Sequence, residues 1–428
     1  MGRPRALSTA PPLGAASPDS GRPRYTALGG PAVEARVHAL VERVGSLVDA
    51  HAPPGACVAL LLVGGYGRGE GGVERGLAGP RPHNNLDFLL VVRGLGARER
   101  RALGARLGEL LEDLAAGAGL GLDLGVIAER ALPGLARRVM GYDVRHGHRV
   151  VRGALPPALR AARLERIRPA DVGALATNRA ALLVFNAVLL DAGEPGPAAR
   201  RAIVKHAAKA TLGVGDALLF FRGAYHWSYR EKGRRMAARR DVPAAFRALY
   251  AEALAFRFAP DHAAWASRDL RAHHAALVEA LAPIHLAVER LRLGRPRLGW
   301  AGHAEAAFAG ALGEDVWSSR GWARKARAGS RGSPKAPAHL SRRARLGLRL
   351  TDPAQRLALL LPSVAYPAAA RRDPLTAPAI LGAPPGPALR RAYLRAWGAA
   401  CDPSFAPAAR RLGLDLDLHH DPTERGRA

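Results

Sequence analysis

The chemistry-bearing residues of this chain gather around a glycine-rich run, GGYGRGEGG from Gly64. It lies between two apolar segments, CVALLLV from Cys57 and LDFLLVV from Leu86. Gly64 and Gly65 lack a Cβ, so a phosphate can approach their backbone closely and the turn can take dihedrals closed to other residues. Arg68, in the same loop, is placed to neutralise phosphate charge. Residues 85 and 87 of a strand point to one face, because side-chain direction repeats every second residue. Oxygen ligands from Asn85 and Asp87 there would suit magnesium, a hard cation, with manganese as the alternative. Asp123, in the later apolar run LGLDLGVIA, would be a third ligand or a general base toward an attacking hydroxyl. An ion so held would polarise an α-phosphate and steady a pyrophosphate leaving group. A carboxylate such as Asp87 inside an apolar strand is costly unless it is paired or ligating.

Those residues need elements to hold them. Val33, Val37, Leu40, Val41, Val44, Leu47 and Val48 recur at helical spacing between 31 and 51, and PPGA ends that helix. The runs from Cys57, Leu86 and Leu120 have the length and flanking turn residues of strands, and 97–116 reads as an amphipathic helix. Between the first two strands, ERGLAGPRPHNN reads as a surface insertion. The order is therefore helix, strand, loop, strand, helix, strand. After Val150 the patterns become long and helical, over about 174–191, 197–223, 243–257 and 262–292. The fold class expected is α+β: a mixed-sheet domain over 31–153 and a helical domain over 154–321. Residues 1–30 read as a disordered arm, 322–345 as a basic linker or loop, 346–412 as a C-terminal helical segment and 413–428 as a tail.

A strand ending in Gly-Gly, a following strand carrying an acidic residue two places after an amide, and a third strand carrying another acid together resemble the DNA polymerase beta-like nucleotidyltransferase superfamily. The resemblance covers about residues 60–127. Gly64 and Gly65 match the glycine pair, and Gly67, Arg68, Gly69 and Glu70 match its extension. Asp87 and Asp123 match the second and third acidic positions, and Asn85 stands where the first Asp is expected. Asparagine offers a neutral carbonyl oxygen without the charge that holds a second divalent ion near another. The resemblance implies a nucleotidyltransferase domain followed by a helical region, and transfer of a nucleoside monophosphate from a magnesium-bound nucleoside triphosphate such as ATP to a hydroxyl of a small molecule or protein. A nucleotide-binding, regulatory protein without turnover is the alternative that Asn85 raises. By the same resemblance the helical region would wall the nucleotide site, with Lys205 and Lys209 toward the triphosphate.

Lys205, Lys209, Leu212 and Asp216 fall within roughly 60° on a helical wheel. The bland reading of that face is a solvated surface with Lys209 near Asp216. Tyr225, His226, Trp227, Ser228 and Tyr229 either stack a base or sugar or cap a helix and fill a domain interface. The latter is the plainer expectation, as a surface turn is for His146 and His148.

Composition bounds the rest. The 64 Lys and Arg against 36 Asp and Glu leave a net charge of +28, which would suit a nucleic-acid partner. The charge is almost all arginine in a chain crowded with Ala, Gly and Pro, residues favoured by GC-rich codons, so it is discounted as compositional. The only lysines are Lys205, Lys209, Lys232, Lys325 and Lys335. No run approaches the roughly 18 uninterrupted apolar residues of a membrane span. The N-terminus lacks the apolar core of a secretory signal. With Cys57 and Cys401 as its only cysteines, the chain suits a reducing cytoplasm and offers no thiolate zinc site.

Overall fold

The computed structural model describes residues 24–76, 79–312, 336–401, 409–414 and 416. They form an α+β protein with a small mixed sheet and an extensive helical region. Helices of eight or more residues are numbered along the chain.

Helix α1, Pro31–His51, begins with a proline at its first turn, where the missing N–H costs nothing, and buries Val33, Val37, Leu40, Val41, Val44 and Val48. Strand β1, Cys57–Val63, runs antiparallel to β4, Leu86–Val92. Between them β2, Gly72–Gly76, and β3, Gly79–His83, form a separate antiparallel pair. The expected surface insertion is thus mostly a two-stranded ribbon, with residues 77 and 78 outside the described residues. Helix α2, Ala97–Ala118, buries Leu103, Leu107, Leu111 and Leu114 along one face. It leads to β5, Leu122–Ala128, which lies parallel to β4. Helix α3, Val139–His146, then leads to β6, Arg149–Gly153, antiparallel to β1. The sheet order is β5-β4-β1-β6. The surface turn expected around His146 and His148 is instead the end of α3 and the entry to an edge strand.

Strands β1 and β4 are covered on both faces, which is why they read as continuous apolar runs rather than alternating ones. Leu60, Leu62, Leu86, Phe88, Leu90 and Val92 pack toward α1 and α2. Ala59, Leu61, Val63, Leu89 and Val91 pack on the other face with Leu132, Val144 and Leu159. Asp87 has the parity of Leu89 and Val91 and so points to that second side.

The arm expected over 1–30 is ordered where it is described. Tyr25, Thr26 and Ala27 are buried, Thr26 bridges Gly71, and Glu34 accepts hydrogen bonds from the Tyr25 and Thr26 amides. Residues 1–23 lie outside the described residues.

The helical region is built on α4, Pro169–Asp191, and α5, Pro197–Phe221, packed along each other. Around them lie α6, Tyr229–Ala238, α7, Ala244–Phe258, α8, Leu270–Arg292, and α9, His303–Ala311. Helix α4 is long and apolar enough to cross a membrane by length and composition, yet most of it is buried inside the protein. Of the expected basic linker, 322–335 lies outside the described residues, whereas the remainder enters α10, Arg342–Leu350, which packs on α9. There a Cβ at Gly347 would stand 1.9 Å from the Phe308 carbonyl oxygen, so only glycine permits that approach. Helices α11, Pro353–Ala365, and α12, Pro387–Ala400, share one apolar core with α4 and α5. Leu414 and Leu416, placed in the expected tail, are buried in the same core.

Candidate functional site

Asp87 and Asp123 stand directly opposite each other on the parallel strands β4 and β5. Gly64 begins the turn after β1 at φ +66°, and a Cβ built on it would lie 2.2 Å from Asp87 Oδ2. Glycine is needed here twice, for the left-handed dihedral and for the room that the carboxylate occupies. Gly65 is confined more mildly: its Cβ would meet the Arg257 Nη2 atom, the end of a flexible side chain, at 3.1 Å.

Asn85 lies one residue before β4, after Asn84 at φ +70°. Its Nδ2 donates to Asp123 Oδ2 at 2.6 Å. The side chain expected to present an oxygen to a metal thus presents an N–H to the third acid.

The helical region faces this pair with cations. Lys205 and Lys209 lie one turn apart on α5, and no ion pair or hydrogen bond to either ammonium is formed among the described residues. The turn of α5 is set from below: buried Asn186 of α4 donates to the Ile203 carbonyl at 2.9 Å and pairs through Oδ1 with His206 Nδ1 at 2.8 Å. Burial, with the two neighbouring lysines, holds His206 down to about 3, so the ring is neutral. Burial also holds Lys205 below the usual lysine range, against the pull of Asp123 and Asp87. Burial, reinforced by the charges of Lys205, Arg179 and Arg257, brings Lys209 down to about 7, with Asp87 opposing. Asp87 is pushed up by burial and by Asp123, while Lys209, Arg257 and Arg179 pull it back. Six side chains from β4, β5, α4, α5 and α7 therefore share one field.

Arg179 and Arg257 were not singled out from the sequence, where they are two arginines among many. Arg257 lies over the Tyr229 ring at 4.2 Å, and its Nε is buried without a hydrogen-bond partner among the described residues.

Other expected site residues serve the scaffold. Arg68 turns away from the carboxylates: its Nη2 donates to Asp143 at 2.7 Å and its guanidinium lies over Tyr229. Its expected phosphate contact is replaced by a buried ion pair, because Asp143 of α3 folds back against the loop. A Cβ on Gly67 would stand 2.4 Å from the Leu62 carbonyl oxygen, so this glycine lets the turn pack on β1 rather than on a ligand. Buried Glu70 accepts from Ser228 Oγ at 2.5 Å and from the Tyr229 amide at 2.9 Å, tying the glycine-rich loop to the start of α6. Tyr225 donates to Asp143, and Ser228 caps α6, so the aromatic group fills the interface between sheet and helices. Asp216 does not neighbour Lys209 as an ion-pair partner. It is buried with Lys232, Nζ to Oδ2 at 2.6 Å, and accepts from Tyr250 at 2.7 Å.

Among the described residues no three His, Cys, Asp or Glu side chains converge into a protein-only metal cage. The donors present, Asp87 and Asp123, fit one divalent ion completed by ligand and water oxygens. They do not fit a pair of ions, since Asn85 brings no charge and its Nδ2 already donates to Asp123. Compared with protein-family models, curated proteins and solved structures, the chain finds no match.

Proposed function

We propose that the site formed by Asp87 of β4, Asp123 of β5 and the lysines of α5 binds a nucleoside triphosphate, ATP among the candidates, and transfers its nucleotidyl group to a hydroxyl acceptor. The observation that carries this reading is the opposition of the Asp87 and Asp123 pair to Lys205, Lys209, Arg179 and Arg257, with the Gly64-Gly65 turn between them. Carboxylates alone would suit a cation, and cations alone any anion. The two together suit a polyphosphate carrying a divalent ion. The order of helix, strand, glycine turn, strand, helix and strand, closed by a helical wall, is also what the nucleotidyltransferase resemblance implies.

In this scheme Lys205, Lys209 and the two arginines hold the β- and γ-phosphates and stabilise the pyrophosphate as it leaves. Gly64 leaves room for the Asp87 carboxylate beside the turn. Asp123 accepts the proton of the attacking hydroxyl as the new O–P bond forms and the bond to pyrophosphate breaks. Magnesium, held by Asp87 and Asp123, would add charge neutralisation at the reacting phosphate. The test is release of pyrophosphate from magnesium ATP by the full chain across a panel of hydroxyl acceptors, small molecules and proteins. Pyrophosphate release lost in Asp87→Ala supports the scheme, and nucleotide binding by the unaltered chain with no release toward any acceptor would refute transfer at this site.

The Asn85 to Asp123 hydrogen bond favours a second reading, a nucleotide-binding protein without turnover. Its mark would be tight nucleotide binding with no pyrophosphate release until Asn85→Asp is introduced.

A further inference from the structure

Resting on the triphosphate site proposed above, we infer that polyphosphate is anchored by Lys205, Lys209, Arg179 and Arg257 directly, without a divalent ion, and that no divalent ion binds before the nucleotide. The charge balance of the site carries this. Four cationic side chains and two carboxylates act on one another there, so the unliganded site is positive. A divalent cation entering alone meets that excess, and only two carboxylates to hold it, one of them already accepting the Asn85 amide at 2.6 Å. A polyphosphate entering alone meets its complement.

The cations are also left wanting an acceptor. Neither lysine has a partner among the described residues, and Lys209 is held down first by burial and then by its cationic neighbours, the second of which an incoming anion offsets. Arg257 Nε is buried without an acceptor, while the guanidinium is fixed over Tyr229 with Nη2 against Gly65. Buried donors without partners are uncommon in proteins, and this one belongs to the guanidinium that stands beside the glycine turn. Arg179 of α4 is set by packing: its Cβ occupies the space that a side chain at Gly213 of α5 would need, 2.3 Å from that position. Where a two-ion site would use metal charge to gather the phosphates, fixed side-chain charge does so here.

The experiment is a titration of the full chain with ATP carrying a fluorescent ribose label, once in EDTA and once in magnesium, with inorganic tripolyphosphate as competitor. Manganese alone is titrated in parallel by its paramagnetic signal. The expected result is affinity in EDTA within about threefold of that in magnesium, and displacement by tripolyphosphate, since charge-assisted contacts supply the binding. Manganese without nucleotide should leave the signal of the free ion. Lys209→Met and Arg257→Met should each weaken binding in EDTA by roughly tenfold, the worth of one charged hydrogen bond. Replacing an unpaired, largely buried ammonium by methionine should not lower the thermal midpoint, which separates lost binding from lost folding, and the EDTA titration of the unaltered chain decides without any variant. Binding seen in magnesium only would overturn this inference and leave the nucleotide site standing. Binding in EDTA unaffected by either substitution would overturn the assignment to these cations. Absence of nucleotide binding in both conditions would overturn the inference together with the nucleotide site itself.

Discussion

The amide of Asn85 donates to Asp123 Oδ2 at 2.6 Å, at the position where a second carboxylate would have repelled it. The contact joins the end of the loop before β4 to the start of β5. It offsets part of the negative field that Asp87 and Asp123 would otherwise share, and it occupies Asp123 Oδ2 while leaving Oδ1 for a metal or a proton.

Asn85→Asp should therefore raise manganese affinity of the nucleotide-bound protein by about tenfold or more, because a third carboxylate adds both an oxygen donor and a charge. Paramagnetic titration of the substituted and unaltered chains checks it. Unchanged affinity would mean that residue 85 does not face the ion. The same substitution should lower the thermal midpoint without ligand, through repulsion from Asp123.

Asp123→Asn should reduce pyrophosphate release by about a hundredfold while nucleotide affinity stays within roughly threefold, as the loss of a general base would. Measuring both on one preparation distinguishes this from a loss of binding. Equal loss of affinity and rate would instead mean that Asp123 acts in holding the nucleotide rather than in taking the proton.

Nucleotide binding should weaken as pH rises from 6 to 8. Lys209 is held down to about 7, so it is mostly protonated at the lower end of that range and mostly neutral at the upper, and a neutral amine attracts phosphate poorly. Burial sets this value first, reinforced by Lys205, Arg179 and Arg257 and opposed by Asp87. Lys209→Met should flatten the profile. The sign for stability is opposite: with the folded value below the unfolded one, the unfolded chain binds more protons between about 7 and the usual lysine range near 10.4, so Lys209 makes the protein more stable as pH rises through that window. Chemical denaturation at pH 7 and 9.5, with and without Lys209→Met, measures it.

Lys232→Met should destabilise the protein by about 3 kcal/mol, because it leaves the buried Asp216 carboxylate without its counter-charge. Tyr250 alone would remain as donor to that group. A urea denaturation curve gives the difference. A change below about 1 kcal/mol, the scale of an exposed ion pair, would mean that water reaches the pair.

Gly64→Ala should abolish nucleotide binding even where the chain still folds. The added methyl would stand 2.2 Å from Asp87 Oδ2 at a backbone φ of +66°, so either the carboxylate or the turn must move. A loss of about 1 to 2 kcal/mol in stability is expected from the dihedral alone.

Local signals carried much of this protein. Apolar runs bounded by turn residues located β1, β4 and β5, and helical periodicity located α1, α2 and the long helices after residue 169, because burial against a neighbouring layer imposes those periods on the chain itself. The glycine pair and Asp87 were legible for a similar reason: their types are costly or unusual at such positions unless something requires them, whereas Asp123 is exposed and was legible only by its order after the other two. What tertiary structure alone decided was which charges meet. Arg68 and Arg257 are the same residue type, yet one is consumed by Asp143 and the other stands beside Gly65, nearly two hundred positions away in sequence. The ribbon of β2 and β3 was hidden because its strands are short and rich in Gly and Pro, and the ordered stretch at Tyr25 because its partner, Gly71, is remote in the chain. The direction of the Asn85 amide was hidden too, since a side chain's hydrogen bond is chosen by whichever acceptor the fold brings within reach, here Asp123 on a strand that pairs in parallel only after α2 has crossed over.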